Sequence, residues 1–518
     1  MATANPRGVQ VSDVPTSIKV VVQADSASII AVGIAPVHSV PGFVWTTPGS
    51  GVSPYSSVIN QPVLCEIPSD FTTQLGVSSE FGPGNKKSGV MYEYTLAEVY
   101  DCMFIENNVS PMVAINVWDP WSMSTLVTQN AQPVVLGAVA ISGEVILASL
   151  TVVGASSGHT GVQGIDYSYA YNDNSLQTGV ITIFSSGLLA TDANVNVTFY
   201  TPNLTVIGDT QIIGGTDVLG NYLGLQVLEK VFTVTGIVPA TVITPGFGSH
   251  AAVIAAAQAH VQSISNGRFR AIFIGDISTS AASQYTQVNV QKSTQNMQTP
   301  FELAGWPYVG LGTKRYHAST MEAVIMAATD AKFGGIPYVS PSNKFASIDS
   351  TWVNASAIPA QIVIDPAQAD FLEQLGVFTF LNFQGWKSLG DYTCAYPQDT
   401  NVQDFWINER RMFNFLGNTL SLTLAQFIDL PGNVQSLTSI NETIQAYLNQ
   451  LVQAGAANTA RCSFNPNENL ASQVMAGIYT FHILWTPPTP IRTLDILLEF
   501  DVAGLTAFIA SISVVSTT

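Results

Sequence analysis

The chain has 518 residues, of which 47% are hydrophobic and only 10% charged, and it carries a formal net charge of −18. Gripping a phosphate backbone or an anionic bilayer takes clustered Lys and Arg, so 17 basic residues spread over this length argue against nucleic acid and against direct membrane binding. Mean hydropathy is nevertheless +0.28, and a surface this poor in charge predicts that other subunits cover much of it.

The most apolar stretch, 132–155, carries Glu144 near its middle and is rich in Val, Ile, Ser and Thr, a composition that suits strands and not a spanning helix. No charged n-region followed by an apolar run opens the chain, so no secretory signal is expected. Residues 1–24 form an N-terminal arm in which "SIKVVVQA" reads as a strand, with Ile18, Val20 and Val22 on one face and no near partner in sequence. Residues 25–129 read as α/β. "SASIIAVGIAP" is a buried strand, "TLAEVYDCMFIEN" a helix with Leu96, Val99, Cys102 and Met103 on one face, and "PMVAINVWDP" another strand.

From 130 to 215 short strands rich in β-branched and aromatic residues alternate with Gly, Asn and Asp, the pattern of an inserted β-sandwich. Within it, Gly154, Ser156 and Gly158 match the GxSxG nucleophile elbow, with His159 adjacent. An elbow needs a strand, a strained turn and then a helix. Here "HTGVQGIDYSYAY" follows, a turn and a strand, so Ser156 is expected in a loop and the hydrolase reading falls.

Residues 216–385 return to α/β. "VPATVITPGFGSHAAVIAAAQAHVQSISNGRFRAIFIGD" reads as strand, glycine turn, helix and strand. Gly246, Gly248 and Ala251 satisfy GxGxxA, and Asp276 ends the next strand, where a ribose-binding acid would sit. Against a nucleotide-dependent enzyme stand Pro245, which stiffens the turn, the mid-chain position, and the lack of a second mononucleotide-binding half. That enzyme and a static shell protein are the alternatives to the reading below.

Residues 386–489 are helical or mixed. Segment 406–427 is one helix, and 436–455 is amphipathic, with Leu437, Ile440, Ile444, Leu448, Leu451 and Val452 on one face and Gly455 as its stop. Residues 490–518 form a C-terminal arm set off by prolines, and "LDILLEFDV" alternates as a strand with Leu494, Ile496, Leu498 and Phe500 on one face. Cys65, Cys102, Cys394 and Cys462 are widely spaced and make no metal-ligating cluster. They read either as buried thiols or as disulfides formed outside a reducing compartment. No cofactor, metal or catalytic group is expected.

The series "GNYLGLQVLEKVFTVTGIVPATVITPGFGSHAAVIAAAQA", "GIPYVSPSNK", "FLEQLGV", "GWKSLGDYT", "FWINERRMFNFL" and "LVQAGAA" resembles the sheath proteins of contractile phage tails, over about residues 216–500 and more loosely 8–36. Leu389 departs from the WG-R-T pattern frequent in relatives, so a salt bridge using that arginine is not expected. The resemblance implies a subtilisin-like three-layer α/β core without protease activity. It implies stacked hexameric rings wound helically around an inner tube, terminal arms that donate strands to neighbouring subunits, and contraction that drives the tube through a host envelope. Baseplate and tail terminator proteins are the further implied partners, and a virion tail assembled in the host cytoplasm the implied location. Relatives place the C-terminal domain against the tube. Arg410 and Arg411 are thus candidates to meet acidic tube residues, unless they pair within the subunit. Any disulfide of the four cysteines is expected between subunits.

Overall fold

The computed structural model describes residues 21–515 except 41, 42, 47, 50, 78–90, 173, 174, 356 and 357. Ile18 and Val20 lie outside the described residues. The fold is mixed α/β with several sheets.

Its centre is a six-stranded sheet. In chain order the elements around it are β1 (Ile29–Gly33), β2 (Pro62–Cys65), α1 (Thr95–Tyr100), β3 (Met112–Asn116), β4 (Thr241–Ile243), α2 (Ala251–Val261), β5 (Ile272–Asp276), β6 (Glu302–Gly305) and α3 (Ala318–Lys332). The strand order is β6-β5-β4-β1-β3-β2, parallel throughout except for β2, which runs antiparallel to β3 at one edge. Strands "IIAVG", "MVAIN" and "IFIGD" are buried at every position. That is why they read as continuous apolar runs and not as alternating ones: a parallel sheet is covered on both faces. α1 passes directly into a wider π turn over Asp101–Glu106, which completes the helix expected at 95–107.

Between β3 and β4 the chain builds a separate β module. One sheet joins Ser124–Pro133, Asn194–Pro202 and Thr151–Gly154, and the other joins Ala138–Ser142, Ser175–Ile183 and Tyr167–Asn172. Val195, Val197 and Phe199 alternate inward and meet Val139, Ile141, Val152 and Ile181 in a core of their own, distinct from that of the main body. The run 138–153 holds two strands, parted where Gly143 turns the chain at φ +106 and Leu147–Ser149 forms a 3-10 turn. Ser156 sits in a turn with no helix behind it. Asp192 accepts from the Ser156 and Ser157 amides and from the Ser157 hydroxyl (3.1, 2.9 and 2.6 Å). These bonds, led by the Ser157 hydroxyl, hold its carboxyl below the usual range.

Beyond β6 come a four-stranded antiparallel sheet spanning residues 308–362 and a three-stranded one spanning 344–389. Next are helices α4 (Ile407–Leu424) and α5 (Val434–Gln453), and the hairpin β7 (Thr459–Ser463) with β8 (His482–Thr486). α5 buries Ile444, Tyr447, Leu448 and Leu451, and ends where Gly455 takes φ +74, a conformation costly for any residue with a Cβ.

The chain divides into two compact units, Met1–Pro488 and Thr489–Thr518. The second consists of residues 489–501 without regular structure and helix α6 (Val502–Val515). The strand expected at 494–502 is not formed. Leu494, Ile496, Leu498 and Phe500 are exposed, and among the described residues no strand pairs with theirs, so the ladder that defines a strand has no second side. No helix among the described residues is long and apolar enough to cross a membrane.

Candidate functional site

In a sheet of this topology a ligand would bind outside the carboxyl ends of the strands where the chain order reverses, here between β1 and β4. Thr95 fills that place. Its Oγ1 accepts from the Ile34 amide at 3.1 Å, a Cβ on Gly33 would fall 2.3 Å from the same Oγ1, and one on Gly246 would fall 2.9 Å from its Cγ2. Gly246 has φ +83, so the turn and the nearness of Thr95 are enough to require glycine there. Gly248 packs its backbone on Asp276, whose amide donates to the Gly248 carbonyl at 3.0 Å. Ala251 opens α2 with its side chain exposed.

Asp276 is only 1% exposed and is consumed by α3: it accepts from the Ser319 amide at 2.9 Å and from the Ser319 hydroxyl at 2.5 Å. Beside it Glu98 accepts from the His317 amide and the Thr320 hydroxyl (2.7 and 2.8 Å) and faces His317 Nδ1 at 2.8 Å. Burial opposes charge on His317, but Glu98 holds the imidazole above its ordinary range. Serine, histidine and acid therefore lie side by side with no path for a substrate. The group ties α1 to the start of α3.

A second set of polar contacts runs along α4. Arg411 donates through both Nη atoms to the carboxylate of Asp330 on α3, and Nη2 also reaches the Ser26 carbonyl. Asn414 donates to the Ala271 carbonyl (3.3 Å), and Asn418 both accepts from the Arg270 amide (2.9 Å) and donates to its carbonyl (2.8 Å). Thr419 and Thr423 accept from the amides of Ala24 and Val22 (3.1 and 3.2 Å). Four helical residues rise about 6 Å and two extended residues about 6.6 Å, so the root of the N-terminal arm matches the helix step for step. Val22 is thus held by its own chain through its backbone, with its side chain exposed.

Arg410 and Arg411, candidates for a tube-facing surface unless they pair within the subunit, pair within it. Arg411 is 5% exposed and Arg410 6%. Arg410 pairs with Asp404 at 3.0 Å and stacks over Phe301, so both guanidinium groups are spent inside the subunit. The inter-subunit disulfide is corrected for three of the four cysteines. Cys65, Cys102 and Cys394 are at most 2% exposed, and burial pushes each thiol up. Cys462 on β7 is free and partly exposed.

Buried carboxyls give the body a pH signature. Burial pushes Glu302 up to about 8 from an ordinary 4.5, against the Gln258 amide that donates to it at 2.7 Å. The folded chain therefore keeps this proton where the unfolded chain has lost it. The stabilising contribution is full below 4.5 and lost as pH rises through about 8. Glu322 and Glu409, both pushed to about 7 by burial, add the same sign. Glu302→Gln should flatten the fall in melting midpoint between about pH 5 and 9; melting curves whose pH slope matches the parent's would refute this.

No protein-family model matches the chain. Over 437 residues it is 24% identical to the tail sheath protein of Burkholderia phage BcepMu, an alignment spanning 80% of this chain and 86% of that protein. Over 292 residues it is 24% identical to the tail sheath protein of Escherichia phage P2, spanning 55% of this chain and 69% of that protein. Over most of its length the chain is similar to contractile tail sheath proteins. It is a structural sheath subunit. Its fold is that of a solved sheath as well: the anti-feeding prophage helical sheath in its contracted state superposes with a TM-score of 0.53 at 12% identity, covering 97% of this chain and all of that one (100%). What sequence reasoning missed is the α4 ladder. Its Asn and Thr residues recur at helical spacing, but so do those of any solvated face.

Proposed function

We propose that this sheath subunit polymerises into stacked hexameric rings wound around an inner tube, and that the lattice contracts to drive the tube through a host envelope. The observation that carries this is a pair of unfinished elements. Hairpin β7–β8 is a two-stranded sheet with no further strand on either edge among the described residues, and its inward face rests on α5. Residues 494–500 alternate Leu, Ile, Leu and Phe with polar or exposed neighbours, yet have no ladder. A two-stranded sheet is marginal alone, and an added strand from a second subunit supplies both missing sides.

In this reading residues 1–24 and 490–518 are the arms, and 25–129 with 216–385 form a subtilisin-like three-layer body carrying the 130–215 insertion. Residues 386–489 are the tube-side domain. The partners are further copies of the chain, the tube protein, and baseplate and terminator proteins, in a virion tail built in the host cytoplasm. Contraction is a switch between two packings of rigid bodies joined by strands that stay paired.

Electron microscopy of the purified protein, alone and co-expressed with its tube protein, tests this. Hollow, helically striated tubes in two lattice geometries are expected. Discrete particles under both conditions would overturn the proposal, and a single invariant geometry would point to a static shell.

A further inference from the structure

We propose that helix α6 of one copy docks, by its apolar stripe, into a groove on the body of a second copy, making a contact separate from strand donation. The helix is 14 residues long, contains no charged residue, and exposes Leu505, Phe508, Ile509 and Ile512. Their spacing is i, i+3, i+4 and i+7, one face of a helix of the kind that lies in an apolar groove. Left in water, such a stripe is an aggregation hazard, so it calls for an occupant.

The matching surface lies where the second half of α4 meets residues 232–233 and 265–270. It is a groove of about 830 Å³ lined by Phe232, Phe269, Leu420, Leu424 and Ile428, with Arg268 and Arg270 beside them. Both arginines are exposed. In a chain with 17 basic residues and a net charge of −18, two arginines on one apolar groove form a rare positive spot. The segment entering α6 is its complement, with Asp495, Glu499 and Asp501 within seven residues. Seating the stripe among the leucines and phenylalanines would bring these carboxylates towards the arginines and fix the direction of the helix. The 13 residues from 489 to 501 span up to about 45 Å when extended, enough to reach an adjoining subunit.

This inference rests on the self-assembly reading only in requiring a second copy. Full-length Leu422→Cys and Phe508→Cys chains, mixed during assembly and then oxidised, test it. The expected product is a disulfide-linked dimer that needs both variants, with its yield reduced about tenfold when Arg268→Glu and Arg270→Glu are added to the first chain. Tubes that form without this cross-link would overturn the docking and leave the assembly reading standing. A dimer from Phe508→Cys alone would overturn it in favour of helix pairing. A link formed only within the doubly substituted chain would overturn it in favour of closure in one subunit. To separate the two readings, a pair placed at Leu484→Cys on β8 and Ile496→Cys on the arm reports strand donation independently. Loss of both links together with loss of tubes would overturn self-assembly itself.

Discussion

Arg411→Ala should lower the stability of the α/β body by about 3–5 kcal/mol, the range for removing one partner of a buried ion pair. The carboxylate of Asp330 is 1% exposed and faces both Nη atoms, so removing the guanidinium strands a buried charge. The same change removes the donor to the Ser26 carbonyl, so the arm root loosens with the helix. Replacing both partners, as in Arg411→Leu with Asp330→Leu, should cost less than the single change, because it leaves no charge stranded. Denaturation followed by tryptophan fluorescence reads the effect. The inserted β module, with its own core, should keep its transition where it was. A loss under about 1 kcal/mol would mean that the pair is solvated and that the burial argument fails.

Deleting residues 490–518 should leave a folded chain that does not form tubes. Residues 1–488 make a compact unit on their own, so circular dichroism and the main unfolding transition should be unchanged. The donated strand would bring about four backbone hydrogen bonds at ~1 kcal/mol each. It would also bury part of Leu494, Ile496, Leu498 and Phe500, each worth ~1.5–3 kcal/mol if fully covered. Losing even ~4 kcal/mol of that sum raises the concentration needed for assembly about a thousandfold. Sedimentation of the truncated and full chains side by side measures it. Tubes at the parent's threshold would remove the C-terminal arm from the assembly mechanism. The N-terminal arm needs a narrower deletion, of residues 1–20, because Val22 and Ala24 are already fastened to α4.

The sheet at the centre was legible because burial on both faces leaves an unbroken apolar signature: "IIAVG", "MVAIN" and "IFIGD" read directly as strands. Alternation did the same for Val195, Val197 and Phe199, and helical spacing for α5. What failed to show were contacts whose partner is remote in sequence. Arg410 and Arg411 look like a solvated pair until Asp404 and Asp330 are placed beside them. Thr95 carries no mark of filling the crevice that GxGxxA advertises. Residues 494–500 have the period of a strand, but a strand is a relation between two segments, and the period says nothing about where the second one is.

The β module enters and leaves the body through a single rung. Ser124 and Pro202 are register partners in one antiparallel ladder, so the 77 residues between them leave and rejoin the body a strand's width apart, with Glu144 reaching Tyr94 and His38 and Tyr200 stacking on Trp45 beside that junction. The chain path therefore closes on itself at the body, and the module's own core lies beyond that junction. Such a junction is a socket. A different compact domain with adjacent termini could be plugged in there, and subunits carrying unlike cargo could share one lattice.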